Sequence, residues 1–252
     1  MSELERIEAL EKEIRELKGL NKEGIESYSF SKITDKKLKE LVTIKQRIND
    51  AIFDDWFTFK IEFSDNLIGF LKQLISKNRF LMKSYNEEDL KVKFIIPILN
   101  KVDFLSYENE FRDFYELPLN YKTDKFIFNG TTDFVVSKGL FESQKPYFFI
   151  QEFKKGQTDG YPEPQLLAEL ISAVELNNET SMRGAYIVGA IWNFVILEKL
   201  GKDKYQYFVS ENFDSTKIAD LKGIYKNLIF VKEEIIEMLK SELNSDKVMP
   251  LN

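Results

Sequence analysis

Hydrophobic positions recur with one period in the first third of the chain and with another in the rest. Between residues 2 and 19, Ile7, Leu10, Ile14 and Leu17 are spaced by three, four and three among Glu, Lys and Arg, which predicts an amphipathic helix with a narrow apolar seam. So short a seam serves equally a helix packed on the body or a dimerising one. Asn21 to Asp35 mixes Gly, Ser and charge and reads as a linker. A helix is expected from about Asp35 to Phe57, while FTFKIEF, Phe57 to Phe63, fits strand or helix. Leu67, Phe70, Leu71 and Leu74 behind a Ser64-Asp65 start predict a further helix. Residues 1–82 are therefore expected to form a helical N-terminal region.

The pattern changes from Ser84. Asn86 is placed to cap a helix whose first turn holds Glu87, Glu88 and Asp89, and whose apolar stripe is Leu90, Phe94, Ile95 and Ile98. Pro97 predicts a kink or an early end. Alternating runs follow. KFIFNGTTDFVVS places Asn129-Gly130 between two of them, a hairpin signal, and PYFFIQEFKK is the next strand. Pro162 to Asn178 predicts a helix with Leu166, Leu167, Leu170, Ile171 and Val174 buried, and three more strands and a terminal helix from about Lys217 complete residues 83–252. The fold class is α/β: a central mixed sheet flanked by helices, with the helical region in front.

Composition narrows the chemistry. With 252 residues and 43% hydrophobic content the chain can bury a full core. It has no Cys and no His, which removes disulfides, thiolate zinc sites, Ser-His-Asp and Cys-His catalysis and most zinc hydrolases. Carboxylates, Lys, Tyr, Ser and a bound ion remain. The first 20 residues lack the apolar core of a secretory signal, and no apolar run reaches membrane-spanning length, so a cytoplasmic location away from membranes is expected. A net charge of -6 counts against a nucleic-acid binder, although a local groove outweighs a sum.

Glu152 and Lys154 lie two apart in an apolar strand and therefore share a face, where a buried charge is costly unless paired, metal-bound or used. If TTDFVVS neighbours that strand, Asp133 reaches the same spot. Asp133 and Glu152 offer hard oxygens to Mg²⁺, with Mn²⁺ able to substitute, and Lys154 would orient or deprotonate a water or neutralise charge on phosphorus. The acid-x-Lys triplet also occurs at Asp35, Asp89 and Asp220, in helical contexts where a solvated face suffices, so its context gives it meaning.

In order and content, GTTDFVV with Asp133 followed by IQEFKKG with Glu152 and Lys154 resembles the PD-(D/E)XK nuclease superfamily, whose core is restriction-endonuclease-like. NEEDLKVKFIIPIL looks like the helix that opens the nuclease region of type I restriction motor subunits and related bacterial proteins, with Glu87 in the place of their early carboxylate, one residue of register from Glu88. PQLLAEL with Gln165 is similar to their Gln-bearing helix, and GAYIVGAIWNFVIL to a strand pair. Thr132 stands where the family name has Pro. The resemblance spans roughly residues 84 to 210. It implies Mg²⁺-dependent hydrolysis of nucleic acid, DNA foremost, in restriction, defence or repair, with Asp133, Glu152 and Glu87 at the metal, Lys154 at the water and Gln165 at the substrate. The alternative is a catalytically silent module on the same scaffold, acting through its N-terminal helices, and on either reading the first helix serves equally to join two copies as a homo-oligomer or to pack on the body. Lys72, Lys77, Arg79 and Lys83 form a phosphate-facing strip or a solvated helix face.

Overall fold

The alternating segments become one mixed sheet. The computed structural model describes Arg6, residues 24–156 and residues 161–246. Among these, β1 (Glu26–Ser29), β2 (Thr43–Gln46), β3 (Phe111–Lys122), β4 (Phe126–Lys138), β5 (Gln144–Lys154), β6 (Ser181–Val188), β7 (Ile191–Gly201), β8 (Lys204–Val209) and β9 (Phe213–Asp214) form a single sheet in the order β1-β4-β5-β6-β7-β8-β2, with β3 on β4 and β9 on β7. The pairs β1–β4, β5–β6 and β2–β8 are parallel, and the others antiparallel.

Helices cover both faces. On one side lie α1 (Asp35–Leu41) and α6 (Glu163–Asn177), packing Leu38, Leu166, Leu170 and Val174 against Val135, Ile150 and Val195. On the other lie the short α2 (Asp54–Phe57), α3 (Asp65–Asn78), α4 (Glu87–Leu90) and α5 (Ile96–Val102), joined by a π-helical segment Lys91–Ile95, and the long α7 (Ile218–Asp246). These bury Trp56, Leu71, Phe94, Ile98 and Leu228 against Phe134, Phe149, Phe153 and Phe194. Successive side chains of β4 and β5 thus enter different cores, each side chain adding about 1.5–3 kcal/mol by leaving water. Pro97 stands at the start of α5; of the kink or early end expected there, the chain shows no end, and π turns at Lys91–Ile95 carry the helix into α5.

The expected helical region over residues 1–82 is corrected. Its described part supplies β1 and β2, strands at the two ends of the sheet order, and shares both cores. The supposed linker holds β1, and the helix expected to run to Phe57 ends at Leu41 so that β2 can pair with β8. A local pattern loses here to the open edges of a sheet that accept a short strand. The seam from Ile7 to Leu17, and with it the choice between an oligomer and a helix packed on the body, lies outside the described residues.

The Asn129-Gly130 hairpin is also absent: β4 runs straight through it, and the chain reverses at residues 123–125, where Thr123 Oγ1 accepts from the backbone N–H groups of Lys125 and Phe126. Gly130 answers a different need. Its φ is +145°, and a Cβ there would stand 2.9 Å from the ring of Phe30. No helix among the described residues is long and apolar enough to cross a membrane.

Candidate active site

β1 runs with β4 as far as Asn129, while β5 runs against β4, with the pairing nearest its end at Phe134 and Gln151. The two strands therefore point at each other along the same edge of β4 and leave the interval Gly130–Asp133 unoccupied by a partner on that side. Asp133 stands in this gap. On the other edge the β3 ladder pairs Tyr115 with Phe134 and Leu117 with Thr132, skipping Glu116, whose φ is +51°. The register is the same on either side of this break, so Glu116 and Asp133 face each other unpaired with no residue inserted, and strained backbone of this kind gathers at functional sites.

Four elements fill the gap. Asp133 Oδ2 accepts from the backbone N–H of Phe153 at 2.9 Å, and Oδ1 accepts from Lys91 Nζ at 3.0 Å. Lys91, from the π-helical segment, also donates to Glu116 at 3.1 Å. Burial works against its charge, but Asp133 and then Glu116 outweigh it and raise its pKa. Lys154 donates to Glu152 Oε1 at 3.2 Å and stands 3.9 Å from Glu87 at the rim. Burial likewise opposes its charge, and Glu152, Glu87 and Asp133 together hold its pKa raised. Of the two early acids Glu87 is the one beside Lys154, while Glu88 is exposed.

α6 brings the remaining acid. Gly184 on β6 would place a Cβ 2.9 Å from the carbonyl of Ile150 and 3.0 Å from Leu170, so the helix lies close on β5 and β6 only because that side chain is missing. From this helix Glu169, 0% exposed, reaches the site, and Gln165 Nε2 donates to its Oε1 at 3.1 Å. Gln165 therefore serves a carboxylate rather than open space. Glu152 is 1% exposed. Burial, then Glu169 and Asp133, push its carboxyl well above the usual range against the pull of Lys154. Burial and Asp133 push Glu169 up as well, with Gln165 and Lys154 opposing.

The five side chains singled out from the sequence, Glu87, Asp133, Glu152, Lys154 and Gln165, are thus gathered at one place. Lys91, Glu116 and Glu169 join them, and the sequence pattern does not mark these. Glu152 Oε2 and Glu169 Oε2 are buried with no hydrogen-bond partner. Two orphaned carboxylate oxygens beside a third acid are costly as they stand, and a hard cation is what such a donor set accepts. Among the described residues no three acids form a ready-made cage for an ion. Mg²⁺ needs only one or two carboxylates and keeps its waters, so Asp133 and Glu152 fit it. No family model and no curated protein matches this chain.

Proposed function

We propose that the chain is a metal-dependent nuclease on a restriction-endonuclease-like core, hydrolysing phosphodiester bonds in nucleic acid, DNA foremost, in restriction, defence or repair. One observation carries the reading: the acids on β4, β5 and α6 meet at a strand end, with two carboxylate oxygens buried and unpartnered. Asp133 and Glu152 would hold Mg²⁺ or Mn²⁺, with Glu87 at the rim. Such an ion, when bound, polarises a phosphoryl oxygen and acidifies a water.

The chain's own groups do the rest. Lys154, fixed between Glu152 and Glu87, places a positive charge where phosphoryl oxygens gain negative charge and orients the attacking water. Lys91 and the Phe153 N–H hold Asp133 in one rotamer, which preorganises its oxygens. Gln165 fixes Glu169, and Glu169 bears on Glu152.

A second reading, a silent module on the same scaffold, draws on the engagement of both Asp133 oxygens by protein donors. Calorimetric titration with Mn²⁺ separates the two. The nuclease reading expects binding that Glu152→Gln weakens, and cleavage that falls by about 10²- to 10³-fold in Asp133→Ala and in Lys154→Ala with the fold retained. Absence of binding at millimolar Mn²⁺ favours the silent module instead.

A further inference from the structure

Beside the site runs a groove with a different electrostatic character. One cavity, of about 280 Å³, is lined by Arg79, Lys83, Leu90 and Lys155 among others. It adjoins a second, of about 250 Å³, with which it shares Arg79 and Thr216 and which adds Lys72. Lys155 follows Lys154 in the chain, so the groove opens next to the candidate active site. No Asp or Glu lines either cavity. In a chain of net charge -6, that is a local reversal of sign. Among the described residues, none of Lys72, Arg79, Lys83 and Lys155 has a carboxylate within ion-pair distance, and Asp89, the acid whose field reaches Lys155, is itself paired with Lys93.

The rim of the groove is held in place and carries an aromatic ring. Buried Asn78 donates to the Leu74 carbonyl at 2.8 Å and accepts from the Tyr85 hydroxyl at 2.7 Å, which pins both ends of the segment bearing Arg79 to Lys83. Within that segment Phe80 is 75% exposed, with the Arg79 guanidinium 4.3 Å from its ring centroid. A large ring held out in water beside unpaired cations is a stacking platform next to phosphate sites. Duplex DNA hides the faces of its bases, and a single strand offers them.

We infer that this groove binds single-stranded nucleic acid, its phosphates on Lys72, Arg79, Lys83 and Lys155 and a base on Phe80, and leads the strand to Asp133 and Glu152. Its destination rests on the nuclease reading, while binding in the groove does not. Of the four basic residues noted in the sequence, Lys77 lines neither cavity and has no part in it.

The test is fluorescence anisotropy with a labelled oligothymidylate of about 20 nucleotides, the matching oligouridylate and a blunt duplex, all in EDTA. Wild type binds the single strands more tightly than the duplex, and the ratio of the two single strands reports the sugar. Lys83→Gln with Lys155→Gln weakens single-strand binding about tenfold at 0.1 M salt and makes the salt slope shallower by about 1.4. Lys36→Gln with Lys45→Gln, the same charge change on α1 and β2, has no effect. Phe80→Ala costs about tenfold on the single strand and nothing on the duplex. Equal binding of duplex and single strand, or groove variants that bind like the control pair, overturns the inference. Groove-dependent binding by a protein that never cuts in Mn²⁺ removes the nuclease reading alone. Cutting that needs Asp133 but is untouched by the groove variants removes the groove alone.

Discussion

Helix α6 carries three glutamates, and the protein treats the outer two and the middle one in opposite ways. At one end Glu163 accepts from the hydroxyls of Tyr207 at 2.8 Å and of Tyr186 and Tyr161 at 3.3 Å. At the other, Glu175 accepts from Tyr205 at 2.6 Å and Lys199 at 2.8 Å. Each outer acid thus has donors on both oxygens. Burial first, then these carboxylates, raise the pKa of Tyr186, Tyr205 and Tyr207, so the phenols stay protonated as donors. Glu169, buried between them, has one donor and one bare oxygen, and its nearest charged neighbours include two more acids. The same helix can evidently satisfy a glutamate. Where it does not, the shortfall is local and lies at the site, which is the pattern expected of a group kept for a ligand rather than for the fold.

The contrast breaks most visibly in metal affinity. Glu169→Gln removes the charge while keeping an acceptor for Gln165, and is expected to weaken Mn²⁺ binding by about 10- to 100-fold, the usual cost of losing a supporting partner. Glu163→Gln and Glu175→Gln should leave that affinity unchanged, as measured in the same calorimeter. Stability divides the other way. Glu175→Ala strips both Lys199 and Tyr205 of their acceptor in a largely buried place and is expected to cost about 2 kcal/mol in urea unfolding. A loss of that size in Glu169→Ala as well would show the three acids to be equivalent, all of them structural.

Much of the α/β architecture is legible in the sequence, because its signals are long and periodic. The strands at PYFFIQEFKK and WNFVILEKL and the helices α3, α6 and α7 lie where their patterns place them. β1 and β2 are not legible: four residues each, mostly polar, they gain their structure from a neighbour's open edge and not from their own propensity. Asn129-Gly130 misleads because glycine serves close approach as well as turns, and here Phe30 needs the space. At the site, Asp133, Glu152 and Lys154 stand out as charges against apolar strands. Glu169 does not, since the spacing of α6 reads as amphipathic with a solvent face. The helix is in fact enclosed almost all round, so Gln165, Glu169 and Ser172 are buried with the leucines. Lys91 is hidden by the same logic, one lysine among the charges of a helix start, and only the tertiary structure brings it to Asp133.

The smallest expected effect is the sharpest test of which acid is left short. Glu152 and Glu169 both have carboxyls raised well above the ordinary 4.5, so the metal-free fold favours their protonated forms more than the unfolded chain does. With that sign, their contribution to stability is fully present below about pH 4.5 and is lost as pH climbs through the raised values. Metal-free protein is therefore expected to lose stability as pH rises across that interval. Glu169→Gln, having nothing to ionise at that position, should show a flatter curve and a higher midpoint than wild type at neutral pH. Saturating Mn²⁺ should reverse the wild-type trend, because it binds the ionised carboxylates and only in the folded state. Urea titrations at several pH values, with EDTA and with Mn²⁺, read all three outcomes. If Glu175→Gln flattened the curve instead, the unmet charge would lie at the satisfied end of α6, and the distinction between its glutamates would fail.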